Sequence, residues 1–253
     1  MTEKAEVRLL EECAFNGWAA RQTLLVGGWL LRVSEGYTKR ANSVNALDPV
    51  IPTEEILEIA EGFYTLHALP TIFRLSPLAP EPTDAILEMA GYLRFDSSLV
   101  LTAQVGANHS PAETRVDAVP SLSWLNGYAK AAGVSGPQRA IHDSMVSTIA
   151  IPTAFATVYN AGEAVGFGLA TYERGIMGIF DIAVPAARRG QGHGRCIMNT
   201  LLAWGSQQGA KKSFLQVSEQ NDIARNLYTS LGFSEAYRYH YRKRAASPAF
   251  NGG

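Results

Sequence analysis

The sequence predicts an α/β protein built on a mixed sheet. Three observations carry this. Apolar residues at helical spacing alternate along the chain with short runs at strand spacing. A glycine-rich turn flanked by arginines, "RRGQGHGR" at 188–195, joins the apolar run "GIFDIAV" to the helix-like "CIMNTLLAW". The late stretch "EAYRYHYRKR" alternates strictly enough to close the sheet as a final strand. With 253 residues, 47% hydrophobic and 18% charged, the chain is long enough for one large core or two small ones.

Taken in order, residues 7–20 carry apolar positions at helical spacing, and 27–47 reads as two strands reversing at Ser34, Glu35 and Gly36. A helix follows over 53–69, with Thr53 as its cap and Glu54 and Glu55 complementing the dipole in its first turn. A short strand at 71–77, a helix at 82–92 ending at Gly91 and a strand at 97–105 complete this half. Residues 107–120 are poor in large apolar side chains and read as a linker, separating an N-terminal part, 1–106, from a C-terminal part, 121–253.

The second part opens with helices at 121–133 and 137–149. Strands at 154–159, 164–172 and 176–184 follow, the first two joined at Asn160, Ala161 and Gly162. After the glycine turn come a helix at 195–208 ended by Gly209, a strand at 212–218, a helix over 221–233 stopped by Gly232, and the strand at 235–244.

Composition narrows the function. A formal net charge of -1 supplies no global field for nucleic acid or an anionic membrane, so neither is an expected partner. Two distant cysteines, Cys13 and Cys196, argue for a reducing compartment without a disulfide framework or structural zinc, and the histidines show no ligand spacing, so no metal is expected. No apolar run approaches the roughly 20 residues of a membrane span, and the N-terminus is acidic and amphipathic; a cytoplasmic monomer or homodimer is expected. Tyr237, Tyr239 and Tyr241 share one face of the last strand, which reads as an amphipathic strand rather than a base-stacking platform.

The glycine turn points to an anion. At a strand-to-helix junction the first helical amides lack partners and carry the positive end of the dipole, which suits phosphate oxygens. Gly190, Gly192 and Gly194 let a pyrophosphate approach the backbone, and Arg188 and Arg189 can add charge-assisted contacts; a flexible surface turn is the plain alternative. A P-loop is absent, and a dinucleotide fingerprint fails because its third glycine position is Arg195, although Glu219 lies where such a fold keeps its ribose-binding acid.

The run "IAVPAARRGQGHGRCIMNTLLAW" and, about thirty residues on, "LQVSEQNDIARNLYTSLGF" resemble the two signature motifs of the GNAT superfamily of acetyl-CoA-dependent N-acetyltransferases. The first carries Arg189, Gly192 and Gly194; the second carries Asn221, Ala224, Leu227, Tyr228, Gly232 and Phe233 in register. The resemblance covers about 154–242 and implies a GNAT fold there, with acetyl-CoA as acyl donor and an amine of unspecified identity as acceptor. It implies that the backbone of Ile182, Ala183 and Val184 meets the pantetheine arm. The stretch Arg188, Arg189, Gly190, Gln191, Gly192, His193, Gly194 and Arg195 would hold the pyrophosphate. Tyr228 is the family's usual proton donor to the departing thiolate; an interface tyrosine without a chemical role is the alternative. Asn221 serves as helix N-cap, cofactor ligand, or both.

For the base that takes the amine's proton, Asp181 is the first candidate, because a carboxylate in an otherwise apolar strand needs a reason. Many GNAT relatives keep a glutamate six residues before the valine; here that position is Gly178, which leaves Glu173 or a water chain open. The first half reads as a degenerate GNAT-like repeat, since "LEMAGYLRFDSSLVLT" overlays "YTSLGFSEAYRYHYRK" with Gly91 on Gly232, Tyr92 on Phe233 and Leu87 on Tyr228. Arg32, Lys39, Arg40 and Asn42 form a polar group that could meet an acidic substrate or simply line a solvated hairpin. The expected activity is acetyl transfer to a primary amine in a ternary complex; a non-catalytic acyl-CoA sensor is the alternative, and a nicotinamide oxidoreductase a third.

Overall fold

Gly27 and Gly28, with φ of 49° and 82°, reverse the chain between β1 (Gln22–Val26) and β2 (Trp29–Val33). A Cβ on Gly28 would sit 1.9 Å from the Asp48 carbonyl oxygen, so the turn admits no other residue. In this computed structural model, residues 3–106 and 113–244 are described. β2 then pairs antiparallel with β3 (Val44–Ala46), so the reversal expected at Ser34 to Gly36 is the start of a longer loop. Asn42 pins that loop: its Oδ1 accepts from the amides of Ser34 at 2.8 Å and Gly36 at 2.9 Å, and its Nδ2 donates to the Tyr37 and Thr38 carbonyls. The sequence reading missed β1, whose residues are largely exposed and therefore lack an alternating pattern.

Helix α1 (Glu3–Gly17) precedes this unit, and α2 (Thr53–Leu66), β4 (Ile72–Leu75), α3 (Thr83–Met89) and β5 (Tyr92–Gln104) follow it. Thr53 is not the cap of α2. Pro52 occupies that position, and the Thr53 hydroxyl instead meets the Thr83 hydroxyl at 2.9 Å, tying the first turns of α2 and α3 together. Gly91, with φ of 81°, ends the α3 segment as Gly232, with φ of 84°, ends the last helix. Tyr92 and Phe233 after them are both buried, as the overlay of the two halves requires.

The second half runs β6 (Thr114–Asp117), α4 (Leu122–Ala132), α5 (Gly136–Ser147), β7 (Thr153–Asn160), β8 (Glu163–Glu173), β9 (Ile176–Ala183), α6 (His193–Gln207), β10 (Lys212–Ser218), α7 (Asp222–Ser230) and β11 (Ser234–Arg244). Within the stretch expected to be a linker, residues 107–112 lie outside those described, and β6 pairs with β7 at the sheet edge. The β7–β8 hairpin turns on Ala161 and Gly162, both at positive φ, as a two-residue loop of primed type requires.

All strands belong to one eleven-stranded sheet in the order β1, β2, β3, β4, β11, β5, β10, β9, β8, β7, β6. The final strands of the two halves are exchanged. β5, which closes the first half, pairs antiparallel with β10 from Lys212 opposite Gln104 to Ser218 opposite Ser98, while β11 pairs with β4 and β5. The halves thus complete each other's sheet. α6 packs on one face of β7 to β9, where Gly166 and Gly168 leave room for Ile197, and α4 packs on the other, where Gly127 meets Phe167. On that second face Trp124 is fully buried against Phe155 and Phe167 and donates its indole N–H to the Ala156 carbonyl at 3.0 Å. Burial of side chains this size contributes about 1.5–3 kcal/mol each.

Candidate active site

The site begins with a departure of two strands. β9 and β10 run parallel only from Ile176 opposite Lys212 to Ile179 opposite Leu215; beyond that β10 stays with β5 while β9 turns away. A bulge in β9 drives the turn. Phe167 of β8 faces Ala183 and Leu169 faces Phe180, so Asp181 and Ile182 together oppose Gly168, and Asp181 takes φ of 53°. The extra residue re-aims the side chains: Ile182 reaches toward α6 through the space over Gly168, and Asp181 turns with Phe180 to the opposite face.

Beyond Val184, Pro185 and a single 3-10 turn, Ala186–Arg188, lead into the glycines. Gly190 and Gly192 have φ of 74° and 83°, are exposed, and have nothing within 4 Å of where a Cβ would stand. Gly192 is the N-cap of α6, with no side chain satisfying the first amides. Gly194 is closer packed, since a Cβ there would stand 3.2 Å from a Leu227 methyl, and Arg195 donates to the Ser230 hydroxyl at 2.7 Å, so the start of α6 lies against α7. Three cations ring the turn. Arg188 is ion-paired with Glu163, whereas among the described residues Arg189 bonds only the Val184 carbonyl, at 3.2 Å; Gln191 donates to the Ala187 carbonyl. His193 Nε2 is buried and has no hydrogen-bond partner among the described residues. Open glycines, helix-start amides with no partner among the described residues and a guanidinium with no carboxylate partner among them fit a pyrophosphate.

Asn221 caps α7, its Oδ1 accepting from the Ala224 amide at 3.1 Å. Tyr228, in the last turn of α7, is buried among the residues that line α6 and β10, and among the described residues its hydroxyl makes no hydrogen bond. Burial pushes its pKa up to about 12, so it is protonated and able to donate at neutral pH.

Asp181 is not a solitary carboxylate. Tyr128 of α4 donates to its Oδ1 at 2.8 Å, and His142 of α5 lies 2.9 Å from its Oδ2. The other imidazole nitrogen is 3.1 Å from Asp143. Burial works against a charged imidazole, but Asp181 and Asp143 outweigh it and raise the His142 pKa above its ordinary value. Sequence reasoning missed Tyr128, His142 and Asp143; the available signal was a histidine and a tyrosine on the apolar sides of two adjacent helices. Glu173, the alternative base, sits at the opposite end of β9 beside Ile176, held by Asn16 and Arg174. Gly178 has no room for a side chain: a Cβ there would lie 2.7 Å from Phe180 and 2.9 Å from Phe214.

On the Asp181 face, beyond the parting of β9 and β10, lies a cavity of about 430 Å³. Its walls include Lys39 and Arg40 from a second 3-10 turn, Lys39–Ala41, in the loop after β2, Asp96 of β5, Gln216 of β10, and Tyr239 and Tyr241 of β11. The first half therefore walls the site, through the exchanged strand and the loop after β2. Of the polar group expected there, only Lys39 and Arg40 line the cavity. Arg32 is buried and donates to the carbonyls of Phe15, Trp18 and Arg40, and Asn42 pins its loop. Asp96 was not anticipated.

A family described as "Probable histone acetyltransferase Rv0428c C-terminal" matches residues 4–242. The chain belongs to this family. With it the chain falls among the GNAT acetyltransferases, as the two signature motifs imply. Over 244 residues it is 29% identical to "Uncharacterized N-acetyltransferase YobR" of Bacillus subtilis (strain 168), covering 94% of this chain and 98% of that one. It is 26% identical to "Probable histone acetyltransferase Rv0428c" of Mycobacterium tuberculosis (strain ATCC 25618 / H37Rv), covering 95% and 73%. Among solved structures, a GCN5-related N-acetyltransferase from Kribbella flavida superposes with a TM-score of 0.72 at 14% identity, covering 95% and 96%, which shows the same fold across both halves. Among the described residues no helix is long and apolar enough to cross a membrane, and no group of His, Cys, Asp and Glu is arranged to hold a metal.

Proposed function

We propose that this acetyltransferase moves the acetyl group of acetyl-CoA to a primary amine by direct attack in a ternary complex. The observation that carries this reading is the parting of β9 and β10 after Ile179 and Leu215, with the open glycine turn on one face and the polar cavity on the other. Acetyl-CoA would lay its pyrophosphate on the amides at Gly190 to Gly194 and its pantetheine along Ile182, Ala183 and Val184. The acetyl group then reaches the cavity.

The amine nitrogen attacks the thioester carbonyl carbon; the new C–N bond forms, the C–S bond breaks, and the sulfur leaves as a thiolate. Tyr228 gives that thiolate its proton. Asp181, fixed by Tyr128 and His142, takes the surplus proton from nitrogen directly or through water, and solvent exchange restores both groups. Cytoplasmic residence fits a donor of this kind. The Mycobacterium relative's description specifies histone; for this chain we keep the acceptor at a primary amine.

The test is thiol release from acetyl-CoA with a pooled set of amines, for the parent and for Tyr228→Phe. Release by the parent that the variant largely loses supports the reading. Tight CoA binding with no turnover on any amine would favour a sensor, and thermal protection by NAD but not by CoA would overturn the donor assignment.

A further inference from the structure

The cavity has a charge imbalance. Its carboxylate, Asp96, is already paired with Lys39, and a second carboxylate, Glu11, is wholly buried and paired with Arg74, whose Nη2 lies 2.8 Å from its Oε1. Tyr237 also donates to Glu11, at 2.6 Å. At this wall two guanidiniums, Arg32 and Arg40, have no carboxylate partner among the described residues. Arg32 is buried and bonds only carbonyls; Arg40 bonds the Gln216 side chain at 3.3 Å and lies over the Trp18 ring.

A second observation lies one layer down. A small cavity of about 10 Å³, enough for about one water, is bordered by Arg32, Arg40, Arg74 and Gln216. Arg40 and Gln216 border both cavities, so they are the partition between them. Arg74 is 2% exposed, and among the described residues its Nε has no hydrogen-bond partner. A buried donor left over in a positively charged wall costs free energy unless an anion or a water bound to one satisfies it. Stacking of Arg74 on Tyr239, 3.7 Å from the ring centroid, holds the guanidinium plane in place while leaving its edge available.

We propose that the acceptor is a small amine that also carries an anionic group, carboxylate or phosphate, held at Arg40 with Arg74 and Arg32 behind it. The inference rests on the transfer reading above and names its acceptor class. Guanidinium forks match both anions with paired N–H donors. A cavity of about 430 Å³ has the volume of a small-molecule site. A lysine-rich peptide would instead bring more positive charge to Arg40. The amine end of the anionic acceptor then extends from the β10 wall at Gln216 toward the gap between β9 and β10.

Four matched pairs test this: glycine, β-alanine and L-phenylalanine against their carboxamides, and O-phosphoethanolamine against ethanolamine, with polylysine as a ninth acceptor. Thiol release is followed at saturating acetyl-CoA, and the same ligands are titrated calorimetrically into the protein with CoA, so binding is read without turnover. In at least one pair the anionic member should exceed its neutral partner roughly tenfold in kcat/KM and in affinity. Arg40→Gln should bring that pair close to parity with the KM for acetyl-CoA unchanged, and Arg40→Lys should keep part of the preference. The phosphate and carboxylate pairs show which anion is preferred. Binding of anionic members without turnover, weakened by Arg40→Gln, would show the anion site at Arg40 but defeat the transfer reading and with it the assignment of an acceptor. Equal use of neutral members, best use of polylysine, a preference that survives Arg40→Gln, or no binding of any anionic member overturns the inference; the first three leave transfer standing.

Discussion

The His142 imidazole lies with its Nε2 2.9 Å from Asp181 Oδ2, its side chain fully buried and the carboxylate showing only 6% of its side chain to solvent. Folding raises the His142 pKa above 6.5, against burial, because Asp181 and Asp143 favour the charged ring. A raised folded-state pKa means the contribution is complete below the unfolded value and is lost as pH climbs through the folded one. Urea midpoints of the parent should therefore decline from pH 6 toward pH 9. His142→Asn should flatten that slope and cost about 3 kcal/mol at pH 6, the scale of breaking a buried ion pair. A slope unchanged in the variant would remove His142 as its source.

Tyr228→Phe separates chemistry from packing. The hydroxyl has no hydrogen-bond partner among the described residues, so its removal should leave the melting temperature and CoA affinity nearly unchanged. The kcat should fall about 100-fold, the scale of a lost general acid. Because burial holds the pKa near 12, the parent's rate should show no descending limb from Tyr228 between pH 7 and 10. Steady-state rates across that range for both proteins give the answer.

The second half was legible because its signals are local. Gly192, Gly194, Asn221 and Tyr228 stand at fixed offsets within single strand-turn-helix units, and α6, β10 and α7 fall where the periodicity puts them. What the sequence hid are relations between distant segments. Asp181 could be picked out as an acid in an apolar strand, but its partners come from α4 and α5, 53 and 39 residues away. Asp96 becomes a wall of the site only because β5 is exchanged into the second half's sheet. Thr53 has the composition of a cap but spends its hydroxyl on Thr83.

Gly192 and Gly178 should respond to alanine for opposite reasons. At Gly192 the space is open but φ is 83°, so Gly192→Ala should cost about 1–2 kcal/mol in backbone strain. Its main effect should be a higher KM for acetyl-CoA, since the new methyl stands over the amides. At Gly178 the backbone is ordinary strand, but Phe180 and Phe214 fill the space, so Gly178→Ala should cost about 1–3 kcal/mol by overpacking while that KM stays put. Denaturant midpoints and acetyl-CoA titrations distinguish the two.

The exchanged strands make the second half dependent on the first. A fragment of residues 121–244 keeps both signature motifs but lacks β5, the strand between β10 and β11. Without it β10 presents the bare edge that Ser98 to Gln104 should cover, and β11 has neither of its neighbours, β4 and β5. Tyr237, Tyr239 and Tyr241 would also lose the packing of the first half. The fragment should therefore lack cooperative unfolding and aggregate, whereas adding residues 3–106 as a separate chain should restore a soluble complex with one thermal transition. A fragment that melted cooperatively by itself would show that β10 and β11 pair directly when β5 is gone, and that the exchange is dispensable for folding.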